Sequence, residues 1–120
     1  MPPSSSDARV VLQQLHDVLV VPMHDPLSQN FFNALNQQLS RALHHRISKG
    51  VVLDMAGVEL LDATDFAQLH RIWKTTRLLG GRMILAGLTP GVSAALVTMG
   101  VEDDWVQSAL SVELAMEKLS

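Results

Sequence analysis

The order of extended and helical signals predicts an α/β domain, with a mixed, mostly parallel sheet of about four to five strands and about four helices packed on it. Three observations carry that expectation. Short apolar runs of strand length recur at residues 18–23, 51–55 and 82–88. Between them lie segments whose apolar residues step by three and four. Most of those segments begin at a capping residue, and several stop at a glycine.

Val10, Val11 and Leu12 make a first run and Val18 to Met23 (VLVVPM) a second, and His16-Asp17 between them reads as the turn of a hairpin. Pro22 lacks an N–H, so the second strand is expected to end there or to have an open edge there. Asp25-Pro26 predicts a helix start, with Asp25 accepting free amides and Pro26 at the first helical position. Leu27, Phe31, Ala34, Leu35, Leu39, Ala42, Leu43 and Ile47 form the apolar stripe of a helix over 27–48, which Lys49-Gly50 stops. VVLDM (51–55) then reads as a central strand covered on both faces, followed by a turn at Ala56-Gly57.

Asp62 as N-cap, Asp65 three residues on, the stripe Phe66, Leu69, Ile72, Trp73 and Leu79, and the stop at Gly80 predict a second helix over 62–79. RMILAGL (82–88) is the next strand, and Pro90 opens a short helix carrying Val92, Ala95, Leu96 and Met99 that ends at Gly100. The last strand is expected at Trp105-Val106, and Ser111 caps a final helix whose apolar face is Leu114, Ala115 and Leu119.

Composition narrows the function. With 120 residues, 48% of them hydrophobic, the chain suits one domain over residues 9–120 behind a Pro- and Ser-rich tail at 1–8. Cysteine is absent, which excludes a disulfide scaffold, a thiolate zinc site and a cysteine nucleophile. Nine basic against twelve acidic residues give a net charge of −3, which argues against a nucleic-acid partner. No apolar run approaches the roughly 20 residues that cross a bilayer, and MPPSSSDAR has no signal-peptide pattern, so direct membrane insertion is not expected and a cytoplasmic location is.

The histidines do not make a site by spacing. His44 and His45 are adjacent and point about 100° apart around their helix, unlike an i, i+4 ligand pair. His70 has no orienting carboxylate or nucleophile identifiable in the sequence, so it reads as structural, and neither a metal nor a cofactor is expected. Gly80-Gly81 precedes a strand, whereas a phosphate loop follows one. LTPGV (88–92) does run from strand to helix and leaves amides near Gly91 and Val92, but no Lys or Arg stands in that loop. The six methionines read as core filler, and Trp73 and Trp105 as either core or interface.

The segment LDATDFA is the most informative. Asp62 is placed at the N-cap, Ala63 at N1, Thr64 at N2 and Asp65 at N3, where free amides and the helix dipole favour negative charge. A phosphoryl group on a hydroxyl at N1 or N2 would add a charge of about −2 there and make a switch. Thr64 taken alone also reads as an ordinary helix-start residue.

Two blocks, VVLDMAGVELLDATDFAQL (51–69) and RLLGGRMILAGLTPGVSAALVTMGV (77–101), resemble a STAS domain, the fold of anti-sigma-factor antagonists, and most closely the small scaffold subunits of bacterial stressosomes. The resemblance extends more loosely over 10–119. It implies a non-catalytic module that binds a serine/threonine kinase-like regulator or anti-sigma factor, with release governed by phosphorylation near the start of the second helix. It also implies assembly with related STAS proteins or with further copies of the same chain. In that family the acceptor is a Ser or Thr directly after the residue matched by Asp62; here Ala63 stands there, and a methyl group cannot be phosphorylated. Some stressosome paralogues carry a second acceptor threonine at the position matched by Ala86.

The partner surface implied by the resemblance is Asp62, Ala63, Thr64 and Asp65, with Leu88, Thr89, Pro90 and Gly91 alongside, because successive parallel strands put their following loops at one edge of the sheet. Thr64 and Thr89 are the remaining candidate phosphoacceptors. An alternative keeps the fold and makes the chain an accessory subunit docking on the ATPase of a membrane transporter. An enzyme is not expected, since no acid, base and anion-binding group can be named together.

Overall fold

The computed structural model describes residues 9–45, 50–99 and 105–120. The tail at 1–8, Ile47 and Lys49 at the end of the first helix, and the stop at Gly100 lie outside those residues. In chain order the elements are β1 (Gln13–Leu15), β2 (Val18–His24), α1 (Gln29–His45), β3 (Gly50–Gly57), α2 (Ala63–Leu78), β4 (Arg82–Ala86), α3 (Pro90–Thr98), β5 (Ser108–Ala109) and α4 (Val112–Leu119). The five strands form one sheet in the order β1-β2-β3-β4-β5, antiparallel at β1–β2 and parallel elsewhere. The mixed, mostly parallel α/β architecture expected from the sequence is the one observed.

β3 is the central strand and is closed on both faces by residue alternation. Val51, Leu53 and Met55 join Leu19, Val21, Met23, Met83 and Leu85 in the larger core, which α1, α2 and α3 cover. Val52 points the other way, with Val18, Val20, Ile84 and Ala86, onto Ala115 and Leu119 of α4. The parallel register Val51–Met83 and Leu53–Leu85 keeps the two alternations in step across the sheet.

Several boundaries differ from the sequence reading. The first strand is Gln13–Leu15, not Val10–Leu12. Val10 and Leu12 instead pack against the larger core outside the ladder, because the tight turn at His16 (φ 55) fixes which residues pair with Val18 to Val20. β2 runs through Pro22 to His24. The proline is tolerated because β1 pairs no further than Val20, and the β2–β3 register shifts between Pro22 and His24.

α1 begins at Gln29, not at Leu27, and its cap is Ser28, whose hydroxyl accepts from the Phe31 amide at 3.1 Å. Asp25 cannot serve as the cap because its amide and carboxylate are both engaged with the β3–α2 connection. The later start turns Phe32 into the core, fully buried, and leaves Phe31 half-buried beside it. α2 begins after Asp62 as expected, but Leu79 is 38% exposed; the place on the core face goes to the buried Thr76, whose hydroxyl donates to the Ile72 carbonyl. β4 ends at Ala86 because Gly87 turns the chain with φ 68. The last strand is Ser108–Ala109, while Trp105 is buried as a side chain of the larger core. Leu114 is 42% exposed, leaving Ala115 and Leu119 as the buried residues of α4.

Phe32→Ala should therefore cost about 3–5 kcal/mol in urea denaturation, while Phe31→Ala costs well under half as much. The reverse order would restore the stripe read from sequence periodicity.

Candidate functional site

The site is a corner at the carboxyl edge of the sheet, where β3 hands the chain to α2. After Gly57 the Val58 amide donates to the Met55 carbonyl at 3.0 Å and the Val58 side chain is buried, so the connection turns back over the core. Glu59 and Leu60 are exposed, Leu61 dips inward, and Asp62 emerges as the N-cap. Its Oδ1 accepts from the Asp65 amide at 2.7 Å, and the Asp62 amide donates to Asp65 Oδ2 at 3.2 Å. This reciprocal capping box leaves the amides of Ala63 and Thr64, both exposed residues, at the rim.

Two distant segments pin the corner. Asp25 Oδ2 accepts from the Glu59 amide at 2.7 Å, and the Asp25 amide donates to the Gly57 carbonyl at 3.1 Å. From the other side the Thr89 hydroxyl donates to the Val58 carbonyl at 2.8 Å and accepts from the Val92 amide at 3.4 Å, capping α3. Gly91 lies so close that a Cβ there would collide with the Glu59 carbonyl oxygen. The expected neighbourhood of the two loops is thus observed through Val58 and Glu59.

The eight residues read from the sequence have different environments. Asp62, Ala63, Thr64, Pro90 and Gly91 are exposed, and Asp65, Leu88 and Thr89 are half-buried. Leu88 lines a cleft of about 660 Å³ with Ser93, Leu110 and Leu114. The two hydrogen bonds of Thr89 make its hydroxyl part of the framework, whereas Thr64 stands open. Ala86 is fully buried in the sheet. Asp25 was missed as part of this corner: its contact with Glu59 spans 34 residues, and Asp-Pro reads locally as a helix start.

Four carboxylates, Asp25, Glu59, Asp62 and Asp65, gather at this end. Burial raises the pKa of Asp65 from its ordinary 3.8, opposed by the Asp62 amide hydrogen bond and reinforced by the negative charges of Asp62 and Asp25. His70 is elsewhere, stacked on Trp73 with centroids 5.6 Å apart and tilted against Trp105 at 4.9 Å. That places both tryptophans in one cluster with Phe66, and the Arg77 guanidinium lies over Trp73. His44 and His45 are exposed at the end of α1. Among the described residues no group of three or more His, Asp or Glu is placed to hold a metal ion, and no helix is long and apolar enough to cross a membrane.

A family model for the STAS domain matches residues 9–115. The chain belongs to the STAS domain family. RsbS of Moorella thermoacetica, solved as a serine-to-glutamate variant, is similar at 27% identity with a TM-score of 0.78, over 92% of this chain and 94% of that one. A chain from the molecular architecture of the stressosome, a signal integration and transduction hub, matches at 25% identity and TM-score 0.77, over 91% and 95% of the two chains. The anti-sigma factor antagonist SpoIIAA in its unphosphorylated form shares the fold at 15% identity and TM-score 0.72, over 92% and 96%. No curated protein matches the chain significantly by sequence. The STAS domain described here thus has signalling proteins among its structural neighbours, and its α2 start is an exposed, acid-rimmed corner.

Thr89→Val removes both hydrogen bonds at the α3 cap and should cost about 1–2 kcal/mol in urea denaturation, with Thr89→Ser close to wild type. An unchanged Thr89→Val midpoint would show that the rivet carries no stability. For Asp65 the folded state holds its proton more tightly than the unfolded chain, so its contribution favours folding below pH 3.8 and is lost as pH rises above it. Wild type should therefore lose stability relative to Asp65→Asn as pH rises from about 3 to about 6, read from paired urea titrations; a gap independent of pH would contradict the assignment.

Proposed function

We propose that the chain is a non-catalytic, cytoplasmic STAS module, occupying residues 9–120, that binds a serine/threonine kinase-like regulator or anti-sigma factor in a bacterial partner-switching system. The corner of Asp62, Ala63, Thr64 and Asp65, flanked by Leu88 to Gly91, is its contact surface. One observation carries the reading: Ala63 stands exposed at the first position of α2, in a corner that three chain segments hold rigid. A binding face needs exposure and pre-organisation together, and this corner combines them.

The same residue supports a module held in its unphosphorylated form. A methyl group cannot accept a phosphoryl group, and the resemblance places the usual acceptor at position 63. The second matched position, Ala86, lacks an oxygen too and is buried. Thr64 is one residue on, about 100° around the helix, so a kinase presented with position 63 meets it from a different side. The Thr89 hydroxyl is already shared between Val58 and Val92. Binding would then be controlled through the partner or through other STAS subunits.

Thr64→Arg adds bulk and charge to the face without touching the core. It should abolish capture of a cognate serine/threonine kinase-like regulator while shifting the thermal midpoint by no more than about 2–4 °C. Intact-mass spectrometry after co-expression with that kinase should show no added phosphate, whereas Ala63→Ser should gain one. Retained binding by Thr64→Arg would remove this face from consideration, and stoichiometric phosphate on Thr64 or Thr89 would overturn the fixed state. Co-purification of a transporter ATPase in place of the regulator would move the chain to the transporter reading.

A further inference from the structure

We propose that the outer face of the α1–α2 layer docks a short acidic helix of another protein, at a surface separate from the Asp62 corner. The two helices run side by side in the same direction: Arg71 donates to Asn33 at 2.7 Å near their starts, and Thr75 donates to Asn36 at 2.6 Å further along. Leu35 and Leu39 of α1 and Leu69 and Ile72 of α2 are buried against the sheet. The opposite side is turned to solvent, with Arg41 on α1 and Arg71, Lys74 and Leu78 at helical spacing on α2, all exposed.

This face carries no negative side chain. No Asp or Glu occurs in α1, nor in α2 after Asp65, although the chain as a whole has a net charge of −3. Among the described residues the other carboxylates are those of the corner, Asp54 on β3, and Asp17, Glu113 and Glu117 around a pocket beside α4, on the other side of the sheet. The remaining described cations are engaged away from the layer's outer face: Arg9 and His24 line a pocket with Asp25, while Arg82 and Lys118 donate to the Lys118 and Ser108 carbonyls. What the layer retains is like charge at contact spacing. Lys74 stands three residues from both Arg71 and Arg77, and Arg41 three and four residues from His44 and His45. Like charges at these steps cost helix stability. The helix dipole accounts for His44, His45 and Arg77, which fall in last turns, but not for Arg41, Arg71 or Lys74. Arg71 reaches only the amide oxygens of Asn33 and Gln68, and no carboxylate lies three or four residues from Lys74 or Arg41. An anionic partner relieves a repulsion that nothing on these helices offsets.

Shape and apolar surface select the kind of anion. A groove of about 480 Å³ opens between the last turns of the two helices, with Arg41, His44 and His45 on one wall and Thr75, Leu78 and Leu79 on the other. Leu78 is 87% exposed, one turn beyond Lys74. A leucine set among cations along a helix–helix groove matches an amphipathic helix whose carboxylates flank an apolar side chain. Arg71 to Leu78 spans roughly 10 Å, so two to three turns of such a helix reach every group. A long polyanion or an anionic bilayer lying along α2 would continue to its start, where Asp62 and Asp65 repel it; a short acidic helix stops before them.

The decisive measurement is fluorescence anisotropy of a labelled synthetic helix of about 14 residues, with glutamates flanking a leucine stripe, titrated with the purified full chain. The peptide should bind, and binding should weaken about tenfold or more between about 50 and 500 mM salt, which shortens the screening length several-fold. Arg41→Glu and Lys74→Glu, both on exposed side chains, should each weaken it about tenfold, with a thermal midpoint no lower than wild type because the fold gains nothing from either charge. Leu78→Ser should weaken it several-fold and keep the salt dependence. Thr64→Arg alters the corner and should leave peptide binding unchanged, so failure here is distinguishable from failure of the corner as a contact surface. A peptide that does not bind the wild-type chain, that binds Arg41→Glu and Lys74→Glu as tightly, or that is displaced by phosphatidylglycerol vesicles or a single-stranded oligonucleotide at equal charge, overturns the proposal.

Discussion

The backbone of Val58 and Glu59 is the constraint on which the rest of the site depends. Just beyond the central strand, the Val58 carbonyl and the Glu59 amide would be left unpaired by any regular element. They are taken instead by Thr89 from the α3 cap and by Asp25 from the β2–α1 connection. Three loops that leave parallel or neighbouring strands at one edge are thereby fastened to one another. The start of α2 is presented as a rigid corner although it lies outside the sheet, and the close approach of Gly91 to Glu59 is part of the same joint.

On that corner the chemistry is electrostatic. The capping box uses two carboxylates to satisfy two amides, and it places a third and fourth acid, Asp25 and Glu59, within the same neighbourhood. Burial disfavours the charged form of Asp65 while the helix end favours negative charge, so the corner combines an attraction for anions with carboxylates already present. With Ala63 at the first position, no side-chain oxygen there can be converted into a further charge.

The larger pattern is a molecule whose α1–α2 layer has unlike ends. Parallel helices beside a parallel sheet collect N-termini at one edge, where the Asp62–Asp65 corner lies, and C-termini at the other, where Arg41, His44 and His45 line a groove. Exposed leucines lie at the corner (Leu60), at the groove (Leu78 and Leu79) and at the cleft beside α4 (Leu110 and Leu114).

The class of fold, the central strand, the span of α2 with its Asp62–Asp65 cap, the Pro90 start of α3, and the absence of a hydroxyl at position 63 were all legible in the amino-acid order. These are local properties: runs of apolar residues, capping chemistry and a side chain's composition are written within a few positions of each other. Long-range packing settles that Asp25 pins Glu59 instead of capping α1, that Phe32 is the fully buried member of the Phe31–Phe32 pair, that Thr89 is committed to Val58, and that Ser108–Ala109 completes the sheet. Each of those outcomes turns on which distant partner reaches a given backbone group or core space first. Local periodicity carries no information about that competition, because partners 31 and 34 residues away are brought into range only by the sheet.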